Sequence, residues 1–272
     1  MSIQLSVIII TWNAERDVKQ CLDSVIEATM SRRMEIIVVD NGSTDKTREI
    51  LESYGEGINL LLLKKNNGVA VARNIGMATA KGEYIWILDV DTIVNREAVD
   101  GMVEYLENHT ECGICACRLQ SENGDVQDSC RKLPYPKHKI RNLLSVKTGK
   151  LVFAKKINDK IRKQNESQFY REEIRRREPF ETEYVIGACQ MFRKAILDEV
   201  GFLDEKIFYG PEDADFCLRV FQKGYKIVCL PVYFIIHHYN RITNKKIFSR
   251  MTYLHIKGLV YFYTKHKNIN KR

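Results

Sequence analysis

Short runs of apolar, largely β-branched residues alternate along the first half of the chain with stretches whose apolar positions recur every three or four residues. Runs of this length are typical of buried strands, and the three-to-four spacing is typical of amphipathic helices. The strand-like runs are residues 1–10, 35–39, 58–63 and 84–88. The helix-like stretches are residues 18–26, 47–54, 69–80 and 95–108. This alternation predicts an α/β fold with a doubly wound, mainly parallel sheet flanked by helices.

Two of the strand-like runs end in carboxylates. The run at 84–88 is followed by Asp89 and Asp91, and the run at 35–39 is followed by Asp40. Because ligands of doubly wound sheets bind outside the carboxyl ends of the strands, we expect these acids to share one site. Two hard oxygen ligands with room for water and phosphate are typical of Mg²⁺ or Mn²⁺ holding a diphosphate. A solvated turn is the alternative for any single Asp-x-Asp.

The loop after the first strand lacks the familiar phosphate-binding signatures. No Gly-x-Gly-x-x-Gly follows that strand, and no glycine-rich loop carries a Walker lysine. The loop reads Thr11, Trp12, Asn13 instead, and we predict Asn13 as the N-cap of the helix at 18–26.

Acidic residues and histidines also cluster in the second half of the chain. Glu212, Asp213 and Asp215 follow a Gly-Pro pair at the predicted start of a helix. Helix capping accounts for one or two acids there, whereas three beside aromatic residues suit a site in which one carboxylate acts as a base. A further strand is predicted at 225–231, and Ile235 and Ile236 precede His237 and His238. One of them is a candidate third metal ligand, and an ordinary core or surface histidine is the alternative.

The positive charge of the chain is concentrated in one segment. The 272 residues carry a net charge of +8, and residues 131–177 alone hold sixteen Lys or Arg against four Asp or Glu, a net +12. The rest of the chain is therefore −4. An acidic body with one basic insertion argues against general nucleic-acid binding and indicates a local surface for an anionic partner. The insertion is either a solvated helical face or an acceptor or membrane surface.

Cysteine usage and hydropathy bear on the compartment. Cysteines such as Cys189, Cys217 and Cys229 lie inside apolar runs, where free thiols pack as small hydrophobes, so we expect a reducing cytosol. No apolar segment approaches the roughly 20 residues of a membrane span. Residues 245–272 alternate apolar residues with Lys and Arg, which predicts a helical tail. That tail either packs on the domain or contacts an anionic leaflet peripherally, at the inner face of the membrane.

Six motifs share an order and spacing that cover nearly the whole chain. They are residues 7–13 (VIIITWN), 38–45 (VVDNGSTD), 67–76 (NGVAVARNIG), 88–91 (LDVD), 187–193 (GACQMFR) and 210–215 (GPEDAD). Together they resemble the family 2 inverting glycosyltransferases of the GT-A fold, and within them the bacterial rhamnosyltransferase-like branch.

This resemblance implies roles for particular residues. Thr11 and Asp40 would contact the nucleoside of a sugar donor, and Arg73 would lie near its diphosphate. Asp89 and Asp91 would hold Mn²⁺ or Mg²⁺. Asn13, Asn41, Asp89 and Gly187 would complete the substrate-binding set. His238 or His237 would be a further metal contact. Asp213 would be the general base, with Glu212 beside it.

The chemistry of glycosyl transfer calls for the same groups. Breaking the bond between the anomeric carbon and a diphosphate releases negative charge, which a cation stabilises. Inversion needs a carboxylate that takes the proton of the acceptor hydroxyl, and Asp213 is the candidate. We expect Glu212 to raise the pKa of Asp213 by like-charge repulsion.

These observations predict a division of the chain and a function. Residues 1–244 form a GT-A domain with a nucleotide-sugar half (1–120), a basic insertion (131–180) and a catalytic half (181–244), followed by the tail (245–272). We expect a metal-dependent transfer of a sugar from a UDP-, dTDP- or GDP-linked donor to a glycan or polyprenyl-diphosphate-linked acceptor, in the synthesis of a cell-surface polysaccharide. The resemblance implies rhamnose as the sugar. The cytoplasmic protein could form an oligomer.

Two other functions fit parts of the sequence. A sugar nucleotidyltransferase would share the sheet and the pair of metal-binding aspartates. It would also need a basic, phosphate-binding loop after the first strand, which Thr11, Trp12 and Asn13 do not provide. A nucleic-acid-binding protein would use the basic insertion, yet that function explains neither acid pair, and a body of net −4 repels phosphate.

Overall fold

The computed structural model describes residues 3–30, 33–135, 168–238 and 249–267. Its first half contains four parallel strands, β1 (Leu5–Thr11), β2 (Met34–Asp40), β3 (Asn59–Leu62) and β4 (Tyr84–Asp89). They lie side by side in the order β3-β2-β1-β4. The chain therefore winds outward from β1 and then returns to its other side. Thr11 pairs with Asp40 and Ile10 with Asp89, so these strand ends form one edge of the sheet.

Helices cover both faces of this sheet. They are α1 (Val18–Thr29), α2 (Thr47–Glu52), α3 (Val69–Thr79) and α4 (Arg96–Asn108), with a 3₁₀ turn at Gly55–Gly57. The predicted apolar stripe of α1 is buried in one core with α4 and Trp86, and α3 packs in a second core on the opposite face. The side chain of Asn95 caps α4 by accepting from the backbone N–H of Ala98. The predicted α/β architecture with a doubly wound, mainly parallel sheet is confirmed.

The second half extends the sheet beyond β4. Its strands are β5 (Thr92–Ile93), β6 (Cys112–Gln120), β8 (Phe180–Glu181), β10 (Cys189–Arg193) and β11 (Lys226–His237). β10 lies antiparallel to β4, and Cys189 pairs with Leu88. This register places residues 187 and 188 beside Asp89. A separate two-stranded ribbon joins β7 (Cys130–Arg131) to β9 (Tyr184–Val185).

β11 is longer than the predicted strand at 225–231. It continues past Pro231 to His237 through a register shift between Leu230 and Phe234. Proline lacks the N–H that a ladder needs, so a bulge is the ordinary way for a strand to pass it. The end of β11 therefore reaches the edge of the sheet that carries Asp89 and Asp91, since His237 pairs with Thr92.

The remaining helices are α5 (Arg171–Arg176), α6 (Ile196–Val200), α7 (Glu212–Gln222) and α8 (Arg250–Lys265). α6 ends at Val200, and the predicted C-cap Gly201 follows with a φ of +73°, which favours glycine; its N–H donates to the carbonyl of Leu197. In the tail, α8 packs on the domain, because Phe262 is fully buried and Gly258 lies against the carbonyl of Gly210.

Some predicted segments are not among the described residues. Most of the predicted basic insertion lies outside the described residues, and the division of the chain at 120, 131–180 and 244 stays a prediction. Within the described ranges, none of the helices has the length and apolar character needed to cross a bilayer. All eight cysteines are buried free thiols.

Candidate active site

Three potential metal ligands meet at the end of β4. Asp89, Asp91 and His237 each offer one ligand atom, and these atoms all lie within 4.8 Å of one another. Carboxylate oxygens suit Mg²⁺ or Mn²⁺, and an imidazole nitrogen favours a transition metal, so this set of donors fits Mn²⁺. Both carboxylates are half-buried and the histidine is buried, which leaves the acids open to a ligand from solvent.

A glutamine orients the buried histidine. Nδ1 of His237 lies 2.6 Å from Oε1 of Gln127, and the backbone carbonyl of His237 accepts from the amide of the same glutamine. With Nδ1 directed at an acceptor, Nε2 faces Asp91 at 3.3 Å, which is the arrangement typical of histidines that bind metals. Burial lowers the pKa of His237, but its hydrogen bond to Asp91 and the charges of Asp91 and Asp89 outweigh burial and raise it.

The neighbouring histidine points elsewhere. Nε2 of His238 lies 2.9 Å from Glu122, and Nδ1 lies 3.5 Å from Asp17. Only its backbone N–H contacts the candidate metal site, by donating to the carbonyl of Asp91. Of the two histidines that the sequence offered, the geometry thus favours His237 as the ligand.

Arg73 links the candidate metal site to the acids of α7. Its Nη2 donates to Oδ1 of Asp89 at 2.6 Å and to the carbonyl of Gly187 at 2.9 Å, while Nη1 lies 3.5 Å from Oε1 of Glu212. The side chain is buried on α3, and its Nε has no hydrogen-bond partner among the described residues. The predicted contact of Arg73 with a diphosphate stays a prediction, since here the guanidinium is held by carboxylates.

Two acids lie at the start of α7: Glu212 faces Arg73, and Asp213 faces Gly187. Burial, reinforced by the charge of Asp213 and opposed by that of Arg73, raises the pKa of Glu212 to about 7. Oε2 of Glu212 is buried without a partner among the described residues. Asp213 is half-buried, and it accepts from the backbone N–H groups of Ala214 and Gly187 at 2.7 and 3.3 Å. Its carboxylate is therefore fixed in orientation next to the metal-candidate strand.

Gly187 packs closely against the guanidinium of Arg73. A Cβ at this position would lie 2.3 Å from Nη1 of Arg73. The glycine thus lets the guanidinium approach the backbone, and its N–H and carbonyl contact Asp213 and Arg73 respectively. Its predicted role in substrate binding stays a prediction, while its contacts join the two groups of acids.

The third acid of the predicted cluster has a different environment. Asp215 is fully buried and pairs with Arg219 on its own helix and with Lys265 and His266 of the tail. Burial alone would raise its pKa, but the hydrogen bond from His266 and the charges of Arg219 and Lys265 outweigh burial and lower the pKa to about 2. Asp215 anchors the tail to α7, whereas Glu212 and Asp213 face the site.

The loops after β1 and β2 form the other side of the site. Asp40 is fully buried and accepts from the hydroxyl of Thr11, the backbone N–H of Ser43 and Nε of Arg48 at 3.1, 3.1 and 2.7 Å. Asn41 donates to the carbonyl of Gly68 and accepts from the N–H of Asn67. These side chains bind the loops to one another, and their contacts with a nucleoside stay predictions.

The prediction of Asn13 as an N-cap is wrong. α1 begins at Val18, preceded by Asp17, and Asn13 adopts a left-handed φ of +52° in the loop. Its side chain accepts from the N–H of Thr44 instead, and its own N–H donates to Ser43. The four residues after it precede the helix, and the contacts of Asn13 join the loop after β1 to the loop after β2.

Sequence reasoning missed several residues that build the site. Arg48 lies within α2, eight residues after its partner Asp40, and this short separation was a usable signal. Gln127 lies 110 positions from His237, and no local pattern marks it. Lys265 and His266 reach Asp215 across about fifty positions, so only the tertiary fold reveals that contact.

Comparison with known proteins identifies the family. The model of Glycosyl transferase family 2 matches residues 6–201. The chain belongs to glycosyltransferase family 2. The rhamnosyltransferase-like branch stays a prediction, because the match extends to the family alone.

Two curated relatives each match less than half of the chain. Glycosyltransferase GlyG of Streptococcus pneumoniae is 32% identical over 110 residues, which are 39% of this chain and 36% of GlyG. The poly(ribitol-phosphate) beta-N-acetylglucosaminyltransferase TarS of Staphylococcus aureus is 29% identical over 125 residues, or 44% of this chain and 22% of TarS. The aligned region is thus a minor part of either relative.

Solved structures extend the likeness over most of the family 2 chain. TarS residues 1–349 in complex with UDP-GlcNAc align with a TM-score of 0.57 and 21% identity, covering 90% of this chain and 61% of that one. A mannosyltransferase of Pyrobaculum calidifontis in complex with GDP-Man and Mn²⁺ aligns with a TM-score of 0.59 and 19% identity, covering 89% and 59%. At this identity the likeness shows the shared GT-A fold.

Proposed function

We propose that this protein is a metal-dependent inverting glycosyltransferase that transfers a sugar from a nucleoside-diphosphate sugar to a hydroxyl of a glycan or polyprenyl-diphosphate-linked acceptor. One observation carries the proposal. The candidate metal ligands and the acid pair of α7 lie on two sides of Arg73 and Gly187, within direct hydrogen-bonding contacts. Family membership and neighbours that bind UDP-GlcNAc or GDP-Man support the donor class. Rhamnose is one sugar within this class.

Asp213 is the proposed general base. The acceptor hydroxyl attacks the anomeric carbon from the face opposite the diphosphate, its proton passes to Asp213, and the bond from the anomeric carbon to the diphosphate oxygen breaks with inversion. The backbone N–H groups of Gly187 and Ala214 keep the carboxylate oriented for that proton. No covalent intermediate with the protein is needed.

Asp89, Asp91 and His237 would hold the cation. Bound there, Mn²⁺ would offset the negative charge that develops on the departing diphosphate. Since Arg73 already holds one oxygen of Asp89, its guanidinium orients that carboxylate from the protein side. We propose that the nucleoside lies against the loops of Thr11 and Asp40, at the neighbouring strand ends.

A thermal-shift screen tests this function. UDP-, GDP- and dTDP-sugars are added with and without Mn²⁺, and saturation at about 100 times Kd stabilises a protein by about 2.7 kcal/mol, or roughly 5–10 °C for a chain of this size. We expect at least one donor to raise the Tm in the presence of Mn²⁺ and to have little effect without it. Stabilisation by a nucleoside triphosphate with a sugar 1-phosphate, but by none of the donors, would favour the nucleotidyltransferase instead.

A further inference from the structure

The tail helix α8 has two unlike faces. Its inner face packs on the domain through Gly258 and the fully buried Phe262. Its outer face exposes Tyr253, Ile256 and Val260, which are 66%, 55% and 57% exposed and lie three and four positions apart. Such spacing puts them on one stripe of a helix. The other large exposed apolar side chains of the described residues lie singly or in pairs on separate elements, which is ordinary for a protein surface.

Positive charge accompanies this stripe. Arg250 and Lys257 are exposed at the same helical spacing, and the sequence of α8 contains no Asp or Glu. The whole sequence after Asp215 contains no acidic residue and twelve Lys or Arg. The acids that touch α8 approach its inner side, where Asp204 and Asp215 pair with Lys265.

We propose that the outer face of α8 docks on the surface of an anionic lipid bilayer. An apolar stripe flanked by Lys and Arg lies in the interface with its apolar side chains among the lipid headgroups, and each nearby cation is attracted to anionic lipids. A second copy of this chain is a poorer occupant, because a two-fold interface would bring Arg250 and Lys257 of both copies together.

Docking would bring the bilayer close to the acid pair. The carbonyl of Gly210, two residues before Glu212, lies against Gly258 on the inner face of α8. One helix of about 10 Å diameter would therefore separate the lipid surface from this segment. A lipid-linked acceptor would gain from that position, and only this consequence depends on the proposed function. The docking itself does not.

Vesicle co-sedimentation of the full chain tests the docking. Vesicles of phosphatidylcholine with and without phosphatidylglycerol are compared at low and high salt, for the natural chain and for Tyr253→Gln/Ile256→Gln/Val260→Gln. Glutamine keeps helix propensity while it removes the apolar surface. We expect binding to the anionic vesicles alone, weakened by salt, and reduced roughly tenfold or more in the triple variant.

A matched control removes exposed apolar surface elsewhere. Leu62→Gln/Val126→Gln/Val232→Gln changes three residues of similar exposure away from α8, and we expect it to bind vesicles as the natural chain does. Equal binding by both triple variants, or no binding of the natural chain at low salt, would overturn the proposal. The proposal would also be overturned if the natural chain did not bind vesicles but formed a dimer in sedimentation velocity, and the α8 variant were a monomer. Donor-induced stabilisation should persist in the α8 variant, which separates this test from that of the transferase.

Discussion

The candidate site has two walls that are built on different principles. We call one of them the loop wall; it is formed by Thr11, Asn13, Asp40 and Asn41. Its polar groups hydrogen-bond to other residues of the loops, and the carboxylate of Asp40 accepts from three donors. The acid wall is formed by Arg73, Gly187, Glu212 and Asp213. In it, Nε of Arg73 and Oε2 of Glu212 are buried without partners among the described residues, and the pKa of Glu212 is raised to about 7.

This difference separates scaffold from chemistry. Buried polar groups are normally paired, so a satisfied wall adds stability and holds a shape. Unpaired buried groups and perturbed carboxyls cost stability, and they concentrate where catalysis needs them. We therefore expect substitutions in the loop wall to reduce mainly stability. Substitutions in the acid wall should reduce mainly turnover.

The largest effect is expected from Asp213→Asn. Asparagine keeps the shape of the side chain and, through its one amide oxygen, one of the two contacts with backbone N–H groups. It cannot take a proton, so kcat should fall by about 10³-fold while donor binding is retained. Steady-state transfer assays and donor-induced thermal shifts measure the two quantities. Full transfer activity in this variant would reject the assignment of the base.

Asp91→Asn should have the next largest effect. It removes one charged ligand and the carboxylate that faces Nε2 of His237, so the affinity for Mn²⁺ should fall by roughly 100-fold or more and metal-dependent donor binding should be lost. Isothermal titration with Mn²⁺ measures this change. Asp125→Asn, in an exposed loop, is the control and should bind as the natural chain does. Unchanged Mn²⁺ affinity in the Asp91 variant would remove the residue from the metal site.

Local patterns were enough to predict the sheet and its acidic edge. The apolar run at 84–88 is followed at once by Asp89, which ends β4, and Asp91 comes two residues later, so the residues themselves position both acids. The same holds for Asp40, which ends β2. In each case the determining contacts lie within a few positions of the chain.

Long-range register was not predictable from the same patterns. Successive side chains of a strand point to opposite faces, so one of His237 and His238 had to face the acids. Which one does so depends on the register shift at Pro231, a property of strand pairing. Likewise, the separation of Asp215 from Glu212 and Asp213 depends on Lys265 and His266, which a local pattern at 210–215 does not contain.

Asp40→Asn tests the loop wall. The variant leaves Arg48 without its buried carboxylate and weakens the contacts to Thr11 and Ser43, so the free energy of unfolding should fall by about 2 kcal/mol. Urea unfolding measures the change. Asp23→Asn breaks an exposed pair with Lys19 and should cost no more than about 0.5 kcal/mol. Equal losses in the two variants would contradict the scaffold role of Asp40.

Glu212→Gln tests how much folding stability the protein loses when the buried carboxyl of Glu212 ionises. A carboxyl whose pKa is raised in the folded state stabilises the protein while protonated, and that stability is lost as pH rises from the unfolded value of 4.5 through about 7. Glutamine does not titrate. The variant should therefore gain on the natural chain by about 1–2 kcal/mol between about pH 5 and about pH 8, as measured by unfolding at each pH. Parallel pH profiles for the two proteins would contradict the raised pKa.

The smallest effect, and the most specific, is expected from Gly187→Ala. The backbone at Gly187 is open to any residue, but the added Cβ would displace the guanidinium of Arg73 and with it the alignment of Asp89 and Glu212. A shift of this kind should lower kcat by roughly tenfold. Gly57→Ala, whose Cβ would meet open space, is the matched control. If Arg73 transmits the effect, Gly187→Ala should change kcat little further in an Arg73→Met background, because coupled residues are not additive. A full tenfold loss in that background would show that the glycine acts through Asp213 instead.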